Sequence, residues 1–405
     1  MTNVRFDGYV TSLEEVQDNP ARFATRLERA KRSPGYAECL CRSAGGGKPL
    51  RLVVHRYGSL FHLARWPDEG IHHNRDMCSF FAEPSASSTA SGAEQDAIRS
   101  TPAGLNARLD VSLTVRTVGT GKVDGGADTD GKRSASRRSA PLLGFLQHVW
   151  QDARLNHWSG GAQRNWGTCS AQILAVLGEG RLNGKPMQDA VHVMRRYEES
   201  ELATIKAEFD TFLGRIRTTP AESHRGVVIA EIKAIDQSKY SFMVRLRQTF
   251  ETFYASKPLI ESAARSFRHA LPMIGKPEAR VVAVLVVERT RDGNLRVIDL
   301  ALQLCNRAFI PCDSSYEVDM ANRLVDEGRR FDKPLRRDGS DDMLPDFLLT
   351  DTARPVAIEV YGMESNDAYR ARKLQKQALY ASRNDPSVEW VPPSPLASVM
   401  LPSPT

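Results

Sequence analysis

The sequence lacks any apolar run long enough to cross a bilayer. Its longest, "VVAVLVV" at 281–287, falls far short of the roughly 20 residues that a membrane helix needs. No N-terminal stretch has the basic-then-apolar form of a signal peptide, so a soluble cytoplasmic protein without a membrane partner is expected. Cysteine is scarce, with six in 405 residues, which argues against a disulfide framework and leaves thiols or metal ligands. There is no strong charge imbalance either. Lys and Arg number 55 against 49 Asp and Glu, with a pI near 9.0, a mild lean toward phosphate-bearing partners without a polybasic tail.

Several catalytic signatures are also missing. No Gly-X-Ser-X-Gly elbow and no Rossmann glycine pattern occur, and His157 and His192 have no context for a Ser or Cys nucleophile, so both are expected to pack or face solvent. "AGGGKPL" at 44–50 places a proline after Lys48 and leads into a strand, so it is not a phosphate-binding loop. Internal repeats are absent.

What is present reads as an α+β multidomain chain. Residues 1–82 form an N-terminal Cys/His-rich domain. Residues 83–140 read as a Ser/Ala/Gly- and Gly/Asp-rich flexible linker carrying one alternating strand, with Leu105, Ala107, Leu109, Val111, Leu113 and Val115 on one face. A helical domain follows at 141–218, then an α+β region at 219–312. In that region "RVVAVLVVERT" and "LRVIDLALQLC" flank the turn "RDGN" as a hairpin. Residues 313–392 have the order αβββαβ, and the Pro-rich tail 393–405 is expected to be disordered.

The N-terminal domain contains two pairs of soft ligands: Cys39 and Cys41 in a Cys-X-Cys, and His73 and Cys78 four residues apart. Zinc favours four thiolate or imidazole ligands donated as close pairs from separate turns. Between the pairs, "LRLVVHR" and "SLFHLAR" read as a hairpin around Tyr57-Gly58 that would bring them together as a zinc-ribbon-like segment. His72 is an alternative to His73, while His55 and His62 belong on the hairpin strands.

The C-terminal stretch "LPDFLLTDTARPVAIEVYG" reads as two strands, each with one carboxylate, Asp346 and Glu359. Adjacent antiparallel strands can bring both to one sheet face, where a magnesium ion could hold a phosphate and activate water. On the next helix Tyr369, Lys373, Lys376 and Tyr380 share a narrow stripe, with Ala371, Leu374 and Ala378 opposite. The apolar stripe is expected to face the sheet, turning the basic one outward toward phosphates. A rival "EIK" at Glu231 to Lys233 lacks a preceding Pro-Asp strand and reads as an ordinary strand. Trp158, Arg164 and Trp166 could stack on bases, but read more simply as helix anchors.

On Pro345, Asp346, Glu359 and the αβββαβ order, residues 314–392 resemble the PD-(D/E)XK nuclease superfamily, with its restriction-endonuclease-like core. The departure is Tyr361 in the lysine position. The resemblance implies a metal-dependent DNA endonuclease with Asp346 and Glu359 on magnesium, Glu317 as an additional acid, and Lys373 or Lys376 as a migrated lysine. The chain as a whole resembles an uncharacterised bacterial family, domain of unknown function 1173, whose three N-terminal cysteines match Cys39, Cys41 and Cys78. That resemblance implies a bacterial protein of mobile or plasmid-related elements and no established activity. Two readings therefore stand: a nuclease acting on DNA of a mobile or conjugative element, or a non-catalytic, zinc-containing nucleic-acid-binding or scaffold protein of a transfer system.

Overall fold

The computed structural model describes residues 2–42, 46–67, 69–75, 77–82, 97–116, 140–161, 164–335, 343–362 and 367–405, with side chains from 370 in the last segment. It is a mixed α+β structure. No helix among the described residues is long and apolar enough to cross a membrane.

The N-terminal sheet has five antiparallel strands in the spatial order Tyr9–Ser12, Asn3–Phe6, Ala37–Cys39, Leu50–Tyr57 and Leu60–Arg65. Its expected hairpin is present, with Tyr57 paired to Leu60 and Gly58 at φ +61°, a conformation that glycine adopts without the Cβ penalty. The helix Pro20–Arg32 lays Phe23, Leu27 and Ala30 onto this sheet, following the 3.6-residue period.

The central element is a small closed barrel of five strands. Gly226–Gln237, Phe242–Leu246, Thr252–Ala255, Leu295–Asn306 and Ala279–Arg289 follow one another, and the last pairs back onto the first. The long hairpin flanking Arg291-Asp292-Gly293-Asn294 is present, with Gly293 at φ +86°. The run "VVAVLVV" has a direct explanation here. Val281, Ala283, Leu285 and Val287 enter one apolar core, whereas Val282, Val284 and Val286 enter another on the opposite face. A strand covered on both faces is continuously apolar rather than alternating.

The second of those cores is filled by the helices Leu142–Asp152 and Trp166–Leu177. The region 141–218 is not a self-contained helical unit, because its strand Val191–Val193 joins the barrel sheet and its strand His157–Trp158 joins the C-terminal sheet. Nor does the chain break its core at 312/313. Barrel residues such as Phe253 and Leu302 and C-terminal residues such as Phe331, Phe347 and Ile358 belong to one continuous cluster.

The C-terminal sheet runs Ser387–Trp390, Val356–Val360, Phe347–Leu349, Phe331–Asp332 and His157–Trp158, with the first pair parallel and the rest antiparallel. The helices Ser315–Asp326 and Asp367–Arg383 complete the order αβββαβ.

Two further expectations fail. The strand expected over 105–115 is divided between Gly104–Ala107 and Thr114–Arg116, which pair in different sheets. Between them the chain is held by Asn183, which accepts from Leu109 N–H and donates to Val111 O. The tail 393–405 is packed rather than disordered: Val399 is buried, Leu396 and Leu401 rest on the main core, and Thr405 N–H donates to Asp351 O at 2.7 Å. Apolar residues spaced among its prolines give it a face to bury. The linker stretches 83–96 and 117–139 lie outside the described residues.

Candidate metal centre and carboxylate site

Cys39 ends a strand of the N-terminal sheet and Cys41 lies in the turn after it. His73 follows the short 3-10 turn Gly70–His72, and Cys78 lies in the loop beyond. That loop is closed on itself. Ala82 N–H donates to Gly70 O, and a Cβ on Gly70 would meet the Ala82 Cβ at 2.8 Å, so only glycine lets the segments approach this closely.

The four ligand atoms all lie within 4.8 Å of one another. Cys39 Sγ is 3.6 Å from Cys78 Sγ, and His73 Nδ1 is 3.5 Å from Cys41 Sγ and 3.4 Å from Cys78 Sγ. Zinc–sulfur bonds of about 2.3 Å in a tetrahedron require sulfur–sulfur edges of roughly 3.8 Å, so these separations are near those of a ligand shell. Asn74 N–H points at Cys41 Sγ, 3.5 Å away, the kind of outer contact that orients a thiolate ligand. Thiols this close do not ionise independently. Hydrogen bonding from Cys39 and Cys78 holds Cys41 well below the usual thiol range, while the bond to Cys41 and burial push Cys39 far above it. A Cys₃His group of this kind could hold a metal ion such as zinc. His72 is exposed and outside the group, and His55 is turned away toward Ala175 O and Pro102 O.

In the C-terminal sheet Phe347 pairs with Ile358. One step further along that register, Asp346 stands across from Glu359, and cross-strand partners share a face. Asp346 Oδ2 accepts from Val360 N–H at 2.8 Å. Glu359 is 1% exposed. Lys376 Nζ donates to Glu359 Oε1 and Oε2, at 3.0 and 2.7 Å, and to Leu344 O at 2.8 Å, while Tyr380 O–H donates to Oε1 at 2.5 Å. Burial, together with repulsion from Asp346, raises the Glu359 carboxyl above its ordinary range.

This overturns the expected orientation of the helix Asp367–Arg383. Lys376 and Tyr380 are buried against the sheet, whereas Leu374 is 65% exposed and Ala371 and Ala378 face outward with it. A buried carboxylate without a partner is costly, and on this helix the polar stripe supplies the partners. Gln377 likewise donates to both oxygens of Glu389, whose strand position neighbours Glu359. Lys373 makes no ion pair with Asp346 or Glu359 among the described residues; its ammonium lies 4.6 Å from the centre of the Tyr361 ring.

Glu317, on the first turn of the helix Ser315–Asp326, is also buried. Its Oε2 accepts from Asp313 N–H at 3.0 Å and from Lys333 Nζ at 2.6 Å, and Lys333 also donates to Asp313 Oδ2 at 3.0 Å. Desolvation pushes the Glu317 carboxyl up to about 7, against the pull of Lys333 and with the push of Asp313 and Asp346. Sequence reasoning missed Lys333 and Asp313. A lysine directly after the short strand Phe331–Asp332 carries no periodic signal, and only the fold brings it under Glu317.

The remaining candidates serve packing. Glu231 of the rival "EIK" is paired with Arg247 at 2.6 Å inside the barrel sheet. Arg164 donates to Leu155 O and His157 O and lies over the buried Trp158, while Trp166 Nε1–H donates to Met194 O. No base could stack on that cluster as it is built.

Over residues 10–392 the chain matches the family described as "Protein of unknown function (DUF1173)", and it belongs to that family. No curated protein and no solved structure matches it.

Proposed function

We propose that this member of the DUF1173 family is a metal-dependent nuclease of the PD-(D/E)XK type, acting on DNA in the mobile-element setting that the family resemblance implies. The observation that carries the reading is the contact of Lys376 Nζ with Glu359 at 2.7 Å, next to an Asp346 that stands across the strand pair. Tyr361 occupies the motif's lysine position, and Lys376 brings an ammonium to the acids from the following helix instead.

The donor set suits a hard cation such as magnesium, which takes oxygen ligands and commonly one or two carboxylates. Asp346 is half-buried and uses Oδ2 for its bond to Val360, and Glu359 faces it. A magnesium ion bound there would polarise a phosphodiester and activate water. The chain's own part is to fix the acids on paired strands, to place positive charge beside Glu359 through Lys376, and to hold that charge with Leu344 O, while Tyr380 O–H donates to Glu359. The Cys₃His centre would be a structural zinc site, and the basic balance of the chain favours a polyanionic partner.

A second reading is kept by one observation: both Glu359 oxygens are already engaged, by Lys376 and Tyr380. That arrangement also suits a core that keeps its shape without chemistry, leaving a zinc-containing DNA-binding or scaffold protein. Cleavage of supercoiled, linear and single-stranded DNA in magnesium by wild type and Asp346→Ala separates the two. Metal-dependent cutting lost in the variant supports the nuclease; binding without cutting supports the scaffold.

A further inference from the structure

We infer that the outer face of the barrel strands Phe242–Leu246 and Thr252–Ala255 binds single-stranded DNA; the choice of DNA rests on the reading above, though not on its nuclease chemistry. In chain order the barrel strands close as first, second, third, fifth and fourth. The third and fifth run parallel, and the helix Lys257–Ser266 lies between the third and fourth. This is the connectivity of the OB-fold, whose second and third strands carry oligonucleotides. Connectivity alone assigns no function, so the side chains have to carry it.

Along these two strands Phe242, Val244, Leu246, Phe253 and Ala255 pack into the main apolar core. Alternate residues point the other way. Asp236, Met243, Tyr254, Arg296 and Glu288 are successive cross-strand partners and form one row across all five strands. Met243 and Tyr254 enter neither core cluster of the barrel, whereas Val282, Val284 and Val286, on the outer side of the long hairpin, are covered by the helices Leu142–Asp152 and Trp166–Leu177.

Among the described residues the two most exposed Phe, Tyr or Trp side chains are Phe250, at 88%, and Tyr240, at 85%. They lie in the connections at the two ends of the strand Phe242–Leu246, with Tyr254 on the neighbouring strand between them. A single wet aromatic needs no explanation. Two at the ends of one strand, beside a third, make a run of π faces on which bases of any identity stack. A duplex hides those base faces in its own stack, so the surface selects single strands.

The charges complement a phosphate backbone. Buried Glu231 and Glu288 are each bridged by two arginines, Arg247 and Arg280 for the first and Arg225 and Arg296 for the second. One positive charge is left over at each, and Arg247 and Arg296 remain exposed. Lys239 adds another, 4.9 Å from the centre of the Tyr240 ring. Beside Phe250 and Tyr254 a groove of about 600 Å³ is lined also by Arg289, Asn294, Asp210 and Glu251. Its carboxylates repel a phosphate but accept from base amino groups, so it takes a base while the backbone follows the arginines.

The test is fluorescence anisotropy of labelled oligo-dT with the full chain, without added divalent metal so that no cleavage intervenes, and with a duplex and oligo-rU of equal length as the other arms. Wild type is expected to bind oligo-dT more tightly than duplex. Tyr240→Ala and Phe250→Ala, whose exposure spares the fold, should each weaken it by about 5- to 150-fold, and Phe250→Trp, which keeps a π face, should retain it. Met400→Ala, equally exposed on the tail, should change nothing. Arg296→Gln should reduce the slope of log affinity against log salt by about 0.7. Equal or tighter binding to duplex, tighter binding to oligo-rU, or alanine variants that bind like wild type would overturn this surface and leave the carboxylate site untouched. No binding to any of the three would instead overturn DNA as the partner, on which the choice rests.

Discussion

Lys376 and Glu359 form a buried ion pair in which one ammonium meets both carboxylate oxygens, at 3.0 and 2.7 Å. The pair joins the helix Asp367–Arg383 to the sheet through the helix's polar stripe, while Leu374 on the opposite side is exposed. Its proximity to Asp346 is what separates the roles of the two lysines on that helix.

If the pair belongs to a phosphodiester-cleaving centre, Lys376→Ala should lower the cleavage rate by about 10²–10³-fold, the usual effect of removing a positioned charge stabiliser. Lys373→Ala should change it by less than about tenfold, because Lys373 lies over Tyr361 and not on the acids. Initial rates on a labelled duplex, with circular dichroism to check folding, decide between them. Equal losses in both variants would remove the distinction.

Arg329 and Asp351 make the best-formed buried ion pair, with two parallel bonds of 2.9 and 2.8 Å and both side chains 4% exposed. Arg329→Met should destabilise by about 3–5 kcal/mol, since it leaves a charge without its partner. Burial alone would raise the Asp351 carboxyl, but Arg329 and the Arg330 N–H hold it below the ordinary range. Its contribution is therefore complete above about pH 4, where the unfolded carboxyl is ionised, and is lost as pH falls through the lower folded value. Urea unfolding at pH 7 and at pH 3 should show a smaller gap between wild type and Asp351→Asn at the lower pH.

His62 lies inside the N-terminal hairpin, and its Nε2 has no hydrogen-bond partner among the described residues. Desolvation, with repulsion from His55 and Arg195, pushes it down to about 3. The unfolded chain then binds a proton near pH 6.5 that the folded chain refuses. Stability is present above pH 6.5 and falls as pH drops toward 3, by at most about 1.4 kcal/mol per pH unit from this residue. His62→Leu should flatten the dependence of unfolding free energy between pH 6.5 and 4, and an unchanged slope would contradict the assignment.

The Cys₃His centre should bring one zinc per chain, measured by elemental analysis of purified protein. Cys78→Ser should retain well under one, and should lose hydrogen-exchange protection at residues 37–41 and 70–82, where the ligands reside. Full protection without zinc would show that the thiols merely pack.

How much of this was legible in the sequence depends on the kind of signal. Cys39, Cys41, His73 and Cys78 were readable because ligand pairs and a hairpin are local features, and the structure brings all four together. The paired acids were readable from Pro345-Asp346 and from two short apolar strands that carry one acid each. The helix above them was not. Periodicity ranked Leu374 as inward and Lys376 as outward, because it weighs apolar residues and does not register that the sheet face below presents Glu359. Lys333 was invisible for a related reason: its partners, Glu317 and Asp313, lie on a helix and turn that only tertiary packing sets beside it. The tail was misjudged from its prolines, although Leu396, Val399 and Leu401 supply the apolar contacts that hold it.

The most direct measurement is a time course of plasmid nicking by wild type and Glu359→Gln, with magnesium present, removed by EDTA and then restored. The account predicts cleavage by wild type that stops and resumes with the metal, and none above background by the variant. Cleavage that ignores magnesium or survives in Glu359→Gln, or a wild type that cuts no DNA substrate at all, would contradict it.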